Sequence, residues 1–391
     1  MKVLQRYFAI EISRSVLFVL MAFLALFAFI DLMGELQSVG RGGYQLQHAF
    51  LYVSMGLPGY VYELMPIAAL IGTIYTLAQF AARSEFSIMR VSSMSTLMAG
   101  TMLAKIGLVF VAITFLFGEY ISPMTSAMGE QLKLRARGTA VAPEFRSGLW
   151  AKDQIRENGV SGAVIGTRFL NVRSMTPEGQ LQDVRIYEFD REFHMTALIT
   201  AARADYRQAH TWHLADVTET RFANTAPAPA IVHGELTPEV TIPDIPTSVA
   251  TKAEAARDFI SENTPEILAV SFADPDRMSA YDLSVYTRHL TDNKQRSERY
   301  EIAFWKKIIY PFAVLVMMAL ALPFAYLHFR SGGVSLKIFA GIMIGVSFQL
   351  LNSLFSYLGL LNTWPALATA ALPSVLFLLL ATSTLWWVDR H

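Results

Sequence analysis

Cysteine is absent from this 391-residue chain, which removes disulfides, thiolate metal sites and thiol nucleophiles together. No Gly-Lys dipeptide occurs either, so the phosphate-cradling loop Gly-x-x-x-x-Gly-Lys-Ser/Thr is missing and the chain carries no recognisable nucleotide site. His-Glu-x-x-His and Gly-x-Ser-x-Gly are likewise absent. Charge is scarce at 16%, and 32 basic residues balance 32 acidic ones, which leaves no basic footprint for nucleic acid.

The scarcity of charge is uneven. Ser15 to Ile30, Leu64 to Ala82, Ile106 to Gly118, Ile308 to Leu327, Ile338 to Trp364 and Pro365 to Val388 contain no Asp, Glu, Lys or Arg. With their flanks, these runs reach the about 20 residues needed to cross a hydrocarbon core. They predict six transmembrane helices, three before and three after a long polar block. Leu46 to Tyr62 is also uncharged, but its Gln47, His48, Ser54, Gly56, Pro58 and Gly59 fit an interfacial lead-in to the second span better than a seventh span.

Basic residues orient the array, because Lys and Arg concentrate in short cytoplasmic loops. Lys2, Arg6 and Arg14 precede or enter span one, Arg83 and Arg90 follow span two, Arg330 and Lys337 follow span four, and Arg390 ends the chain. The alternate loops are poorer, since Asp31 to Gly56 holds only Arg41. Both termini are therefore expected in the cytoplasm and the central block outside. The first apolar run is too long for a cleaved signal peptide and has no small-residue cleavage site, so it is expected to stay as an anchor.

From about 122 to 302 the apolar pattern shortens to strand length. Val184, Ile186, Tyr187 and Phe189, then Phe193, Met195, Leu198 and Ile199, place β-branched and aromatic residues between turn signals such as Pro177-Glu178-Gly179. This predicts an antiparallel β domain, interrupted by a proline-rich edge or loop at Ala226 to Pro246. Ser279 is placed to cap a polar helix running toward span four. The division expected is 1–121 for three spans, 122–302 for the external β domain and 303–391 for the last three. His194, His210, His213 and His233 match no metal or catalytic spacing and read as surface histidines.

Between spans two and three lies Arg83-Ser84-Glu85-Phe86-Ser87-Ile88-Met89-Arg90. Ser84 suits a cap, Glu85 the first turn where the helix dipole favours negative charge, and Phe86 and Met89 share a face. A short helix of about 83–92 with exposed Phe and Met is a docking element or an interfacial turn.

The octapeptide resembles the coupling helix of the LptF/LptG permeases, the membrane subunits of the lipopolysaccharide exporter of Gram-negative bacteria. Tyr62 to Thr73, Gly118-Glu119-Tyr120-Ile121-Ser122-Pro123 and Gly148-Leu149-Trp150-Ala151-Lys152-Asp153 agree in order and topology, and they resemble LptG more than LptF. The resemblance implies an external β-jellyroll, a heterodimer with an LptF-like permease, an LptB-like ATPase dimer that uses ATP and magnesium, an LptC-like bitopic protein and a periplasmic LptA-like bridge. It places the chain in the inner membrane and makes it a non-catalytic subunit with no cofactor or metal of its own. Arg83, Ser84, Glu85, Phe86, Ile88, Met89 and Arg90 then form the ATPase-coupling element, with Glu85 entering a groove on the ATPase. Ser93 stands where the family commonly has Gly, which changes the bend expected after that helix.

Lipid A joins an anionic head to several acyl chains and needs apolar walls with cations at the outer interface. Phe23, Phe27 and Ile30 of span one, and Phe348, Leu351 and Phe355 on one face of span five, are the wall candidates. Arg41, Lys133, Arg135 and Arg137 are the cations. Lys105 lies inside span three near its cytoplasmic third, where snorkelling accounts for it most simply. The alternatives are an LptF-type paralogue, an external sensor protein, or a membrane-embedded enzyme modifying an envelope lipid, whose candidate groups are Asp31, Glu35, His48 and Glu119.

Overall fold

The computed structural model describes residues 2–40, 43–83, 85, 96–137, 148–176, 179–223, 248–265, 267–268, 274–293, 295–326 and 334–390. The chain divides into a helical unit, Met1–Arg137 with Ala273–His391, and a β unit, Gly138–Phe272.

In the helical unit, α1 spans Lys2–Leu36 and α2 spans Leu46–Ala82. Next, α3, Thr96–Leu116, runs through a π turn at Phe117–Ile121 into α4, Ser122–Arg137. Two shorter helices, α5 at Ala280–Asp292 and α6 at Glu298–Ile309, lead to α7, Ala313–Ala321, and α8, Pro323–Tyr326. The last two are α9, Val334–Asn362, and α10, Ala366–Arg390. Six stretches among the described residues are long and apolar enough to cross a membrane: Gln5–Leu36, Leu46–Ala82, Met98–Lys133, Glu298–Ala321, Ser335–Asn362 and Ala366–Trp387. The six-span expectation holds. The lead-in at 46–62 is continuous with the second span despite Pro58 and Pro66, giving one helix of 37 residues.

That long helix is the central post. Of its apolar window 83% is buried inside the chain, against 11% for α1. In lipid the burial of apolar surface supplies little drive, so association depends on close packing. Small residues provide it. On α1, Phe8, Ile12, Val16 and Leu20 recur every fourth residue and are buried as one stripe. At Gly72 of α2 an added Cβ would lie 2.6 Å from the Val16 backbone nitrogen, so only glycine lets the two helices meet there. Beside it, the Thr76 hydroxyl is 2.8 Å from that of Ser15. On α9, Gly341 and Gly345 seat against Ile74 and Ile67 of α2 so closely that a Cβ at either would fall 2.8 Å from the isoleucine side chain.

The β unit is a six-stranded antiparallel sheet in sequential order: β1 Leu149–Asn158, β2 Ser161–Met175, β3 Leu181–Phe189, β4 Met195–Arg207, β5 Thr211–Ala223 and β6 Ser248–Ile260. The antiparallel β domain is therefore present, and its described strands pair as a meander. One face buries Leu170, Val184, Ile186, Ile199, Trp212 and Leu214. The sheet curls until its two edges meet through side chains. Asp153 of β1 is fully buried, takes a 2.8 Å bond from Arg168 Nε of β2 and a 2.7 Å bond from Ser261 just past β6. Arg168 also donates to the Ile260 carbonyl and lies 4.3 Å from the Phe259 ring. The β unit is narrower than the 122–302 block read from sequence, because 122–137 and 274–302 are largely helical and cluster with the spans. The proline-rich stretch 226–246 lies outside the described residues.

Candidate functional site

Two ends of the helical unit carry the polar chemistry. At the amino-terminal end of α1, helix α2 finishes at Ala82, and Arg83 and Glu85 follow. Glu85 Oε2 accepts a 3.2 Å hydrogen bond from the Tyr7 hydroxyl, and Oε1 lies 3.9 Å from Arg83. The Tyr7 ring stacks on Phe80 at 5.4 Å, and Phe8 meets the same ring at 5.0 Å. The carboxylate is thus tied to α1 as well as to the end of α2. Its side chain remains 30% exposed, so it stays open to a further partner. Ser84, Phe86, Ile88, Met89 and Arg90, with Ser93, lie outside the described residues.

At the opposite end, the Tyr60 hydroxyl donates to Asp31 at 2.8 Å while its ring meets Phe27 at 4.9 Å. Lys133 of α4 pairs with Glu35 of α1 at 2.5 Å and lies 4.3 Å from the Tyr52 ring, whose hydroxyl donates to Glu130 at 2.8 Å. Both members of the Lys133–Glu35 pair are largely shielded, so this lysine already has a counter-charge. Arg135, two residues on, is exposed.

The π turn explains two of the motifs quoted above. Gly118 faces Tyr62 so closely that a Cβ would fall 2.5 Å from its ring. The next residue, Glu119, accepts the backbone N–H groups of Ala280 at 2.8 Å and Tyr281 at 3.3 Å, capping α5 where its dipole is positive. Ser279 completes that cap by accepting from Asp282, as the sequence predicted. Lys307 of α6 is buried, 4.8 Å from the Tyr62 ring.

The family model described as "Lipopolysaccharide export system permease LptF/LptG" matches residues 6–388. The chain belongs to this family. Similar curated proteins carry the name "Lipopolysaccharide export system permease protein LptG". The one from Haemophilus influenzae is 28% identical over 386 residues, covering 98% of this chain and 97% of its own length. Its counterpart from Escherichia coli strain K12 is 26% identical over 389 residues, covering 99% and 98%.

Within this permease the sequence candidates fall into distinct places. Phe23 and Phe27 are half-buried against the helical core, whereas Ile30 is exposed. Phe348 is fully buried, 5.2 Å from the Phe377 ring and 6.2 Å from that of Tyr310. Leu351 packs against the same core, and Phe355 is half-buried, its ring 6.4 Å from Trp364. The three do share a face, and Phe348 and Leu351 place it against the bundle core. Leu350, Leu354, Tyr357 and Leu361 of α9 are instead exposed, and the sequence reading missed them although Leu350 and Leu354 directly precede Leu351 and Phe355. Arg41 lies outside the described residues, and Arg137 closes α4.

Asp31, Glu35, His48 and Glu119, the groups considered for an enzyme, are each engaged locally. His48 Nδ1 accepts from the Gln45 backbone at 3.0 Å, at the start of α2. No cluster of metal-ligating residues occurs among the described residues. In the β unit, His213 lies 2.7 Å from Asp258 Oδ1, and this hydrogen bond, more than Arg207 at 3.8 Å, holds the Asp258 carboxyl below the usual carboxylate range.

Proposed function

We propose that this permease is a transmembrane subunit of an ATP-driven exporter that takes lipopolysaccharide from the outer leaflet of the Gram-negative inner membrane and passes it to a periplasmic bridge. ATP and magnesium belong to a separate LptB-like ATPase, and the permease works beside an LptF-like subunit, an LptC-like bitopic protein and an LptA-like bridge. Both termini face the cytoplasm and the β unit faces the periplasm, on the strength of the Lys and Arg bias.

The observation that carries the reading is the placement of Glu85. A part-exposed carboxylate at the end of the central helix, hydrogen-bonded to α1, can pass a push from a docked ATPase to both helices. The exposed apolar residues of α1, such as Phe18, Phe29 and Ile30, and of α9 supply walls for acyl chains. Arg135 supplies a cation for a phosphate.

Co-isolation tests the coupling. Glu85→Ala is expected to lose the ATPase from the purified complex while the permease still accumulates in the membrane. Normal ATPase association and normal ATP-coupled lipopolysaccharide release by that variant would sink the assignment. For the path, a photocrosslinker at Ile30 or Arg135 should trap lipopolysaccharide in cells, and adducts at neither position would count against it.

A further inference from the structure

One cavity among the described residues is absorbed by none of these roles. It lies between the amino-terminal part of α1 and α3, has a volume of about 400 Å³, and is lined by Gln5, Arg6 and Ser13 from one helix and Met102, Lys105 and Phe110 from the other, among others. Its origin is in the packing. α1 follows α2 along its length but meets α3 only sparsely, so a cleft opens on the side away from α2.

The two cations come from positions 99 residues apart and converge on one space. Neither Arg6 nor Lys105 forms an ion pair with a described residue. Two carboxylates described at this end of the helical unit are committed elsewhere: Glu11 to Arg14 at 3.6 Å, and Glu85 to Tyr7 and Arg83. The segments 86–95 and 327–333 contain no Asp or Glu at all. Snorkelling accounts for where a single lysine head goes, but not for a cleft with a cation on each wall.

The cleft also has a polarity gradient. Both helices run inward from this end, so Ser13 and Phe110 lie deeper than Arg6 and Lys105 by one to two turns, about 8–10 Å. The α3 wall becomes apolar in that direction, with Ile106, Val109 and Phe110 following Lys105. A charged mouth over an apolar slot fits an anionic head attached to an acyl chain. We propose that this cleft binds an anionic phospholipid from the leaflet at the amino-terminal end of α1, its phosphate held between Arg6 and Lys105 and one chain lying along Ile106 and Phe110. The inference needs only that the spans lie in a bilayer. It stands apart from the coupling role of Glu85.

Native mass spectrometry of the purified full-length permease, titrated with phosphatidylglycerol or phosphatidylcholine, tests it. Phosphatidylglycerol should bind in preference to phosphatidylcholine. The double variant Arg6→Gln, Lys105→Gln should weaken that binding roughly thirtyfold, on the basis of about 1 kcal/mol per cation near an anionic lipid. Arg14→Gln, which removes a neighbouring exposed arginine from outside the cleft, should leave it unchanged, and Lys105→Arg should retain it. Equal binding of the two lipids by the unaltered chain, undiminished phosphatidylglycerol binding by the double variant, or displacement of the lipid by glycerol 3-phosphate alone would each overturn the proposal.

Discussion

Three positions show how single residues set the local geometry. Gly72 permits the α1–α2 contact, since any Cβ there would strike the Val16 backbone, which cannot move aside as a flexible side chain could. Gly72→Ala is expected to destabilise the helical unit by about 1–3 kcal/mol, the usual range for overpacking, read as a lower thermal midpoint in detergent. Asp153 is fully buried with Arg168, so removing one partner leaves an uncompensated charge. Arg168→Met should cost the β unit about 3–5 kcal/mol, visible as rapid proteolysis within 148–260 of the full-length protein, while Asp153→Asn combined with it should recover part of the loss. Asp258 behaves differently because it is solvent-exposed. Its carboxyl is lowered by His213, so any stability it adds is present above the ordinary carboxylate range and is lost as pH falls through the lowered value.

At the scale of elements, the helix caps are where distant parts of the sequence meet. Glu119 sits on the π turn and caps a helix that begins 161 residues later, so its motif serves the assembly of the helical unit. Glu119→Ala should free the Ala280 and Tyr281 amides and speed their hydrogen exchange about tenfold, equivalent to a cap worth about 1.4 kcal/mol, with α3 otherwise protected. Glu119→Gln should keep most of that protection, since its amide oxygen still accepts. Six helices and several strands were legible in the sequence because each has a strong local signal, an uncharged run or an apolar alternation. The run of α9 is a counter-case. Its residues are apolar on every side, so periodicity alone could not say that Phe348 turns inward while Leu350 and Leu354 face out. Neighbours made that choice, through Gly341 and Gly345 against α2.

For the whole molecule, orientation is the property most open to a direct test, and the missing cysteines help. A single introduced thiol is the only one present. Lys252→Cys, on exposed β6, should react with a membrane-impermeant maleimide once the outer membrane is permeabilised, whereas Arg83→Cys should react only after the inner membrane is opened. The reverse pattern would invert the topology and with it the placing of Glu85 beside a cytoplasmic ATPase. The amino-acid sequence by itself determined that there are six apolar spans around a β insert, that no nucleotide loop exists, and that the motifs resemble one permease family, because runs, alternations and short motifs are local properties. Only the tertiary structure decided which side chains are spoken for. Lys133, a candidate phosphate ligand from its position, is paired with Glu35, while Arg6, read only as part of the basic bias, and Lys105, read as a snorkelling lysine, share a cleft. A cation's availability depends on what packs beside it, and residues 98 or 99 apart come together only once the helices have met.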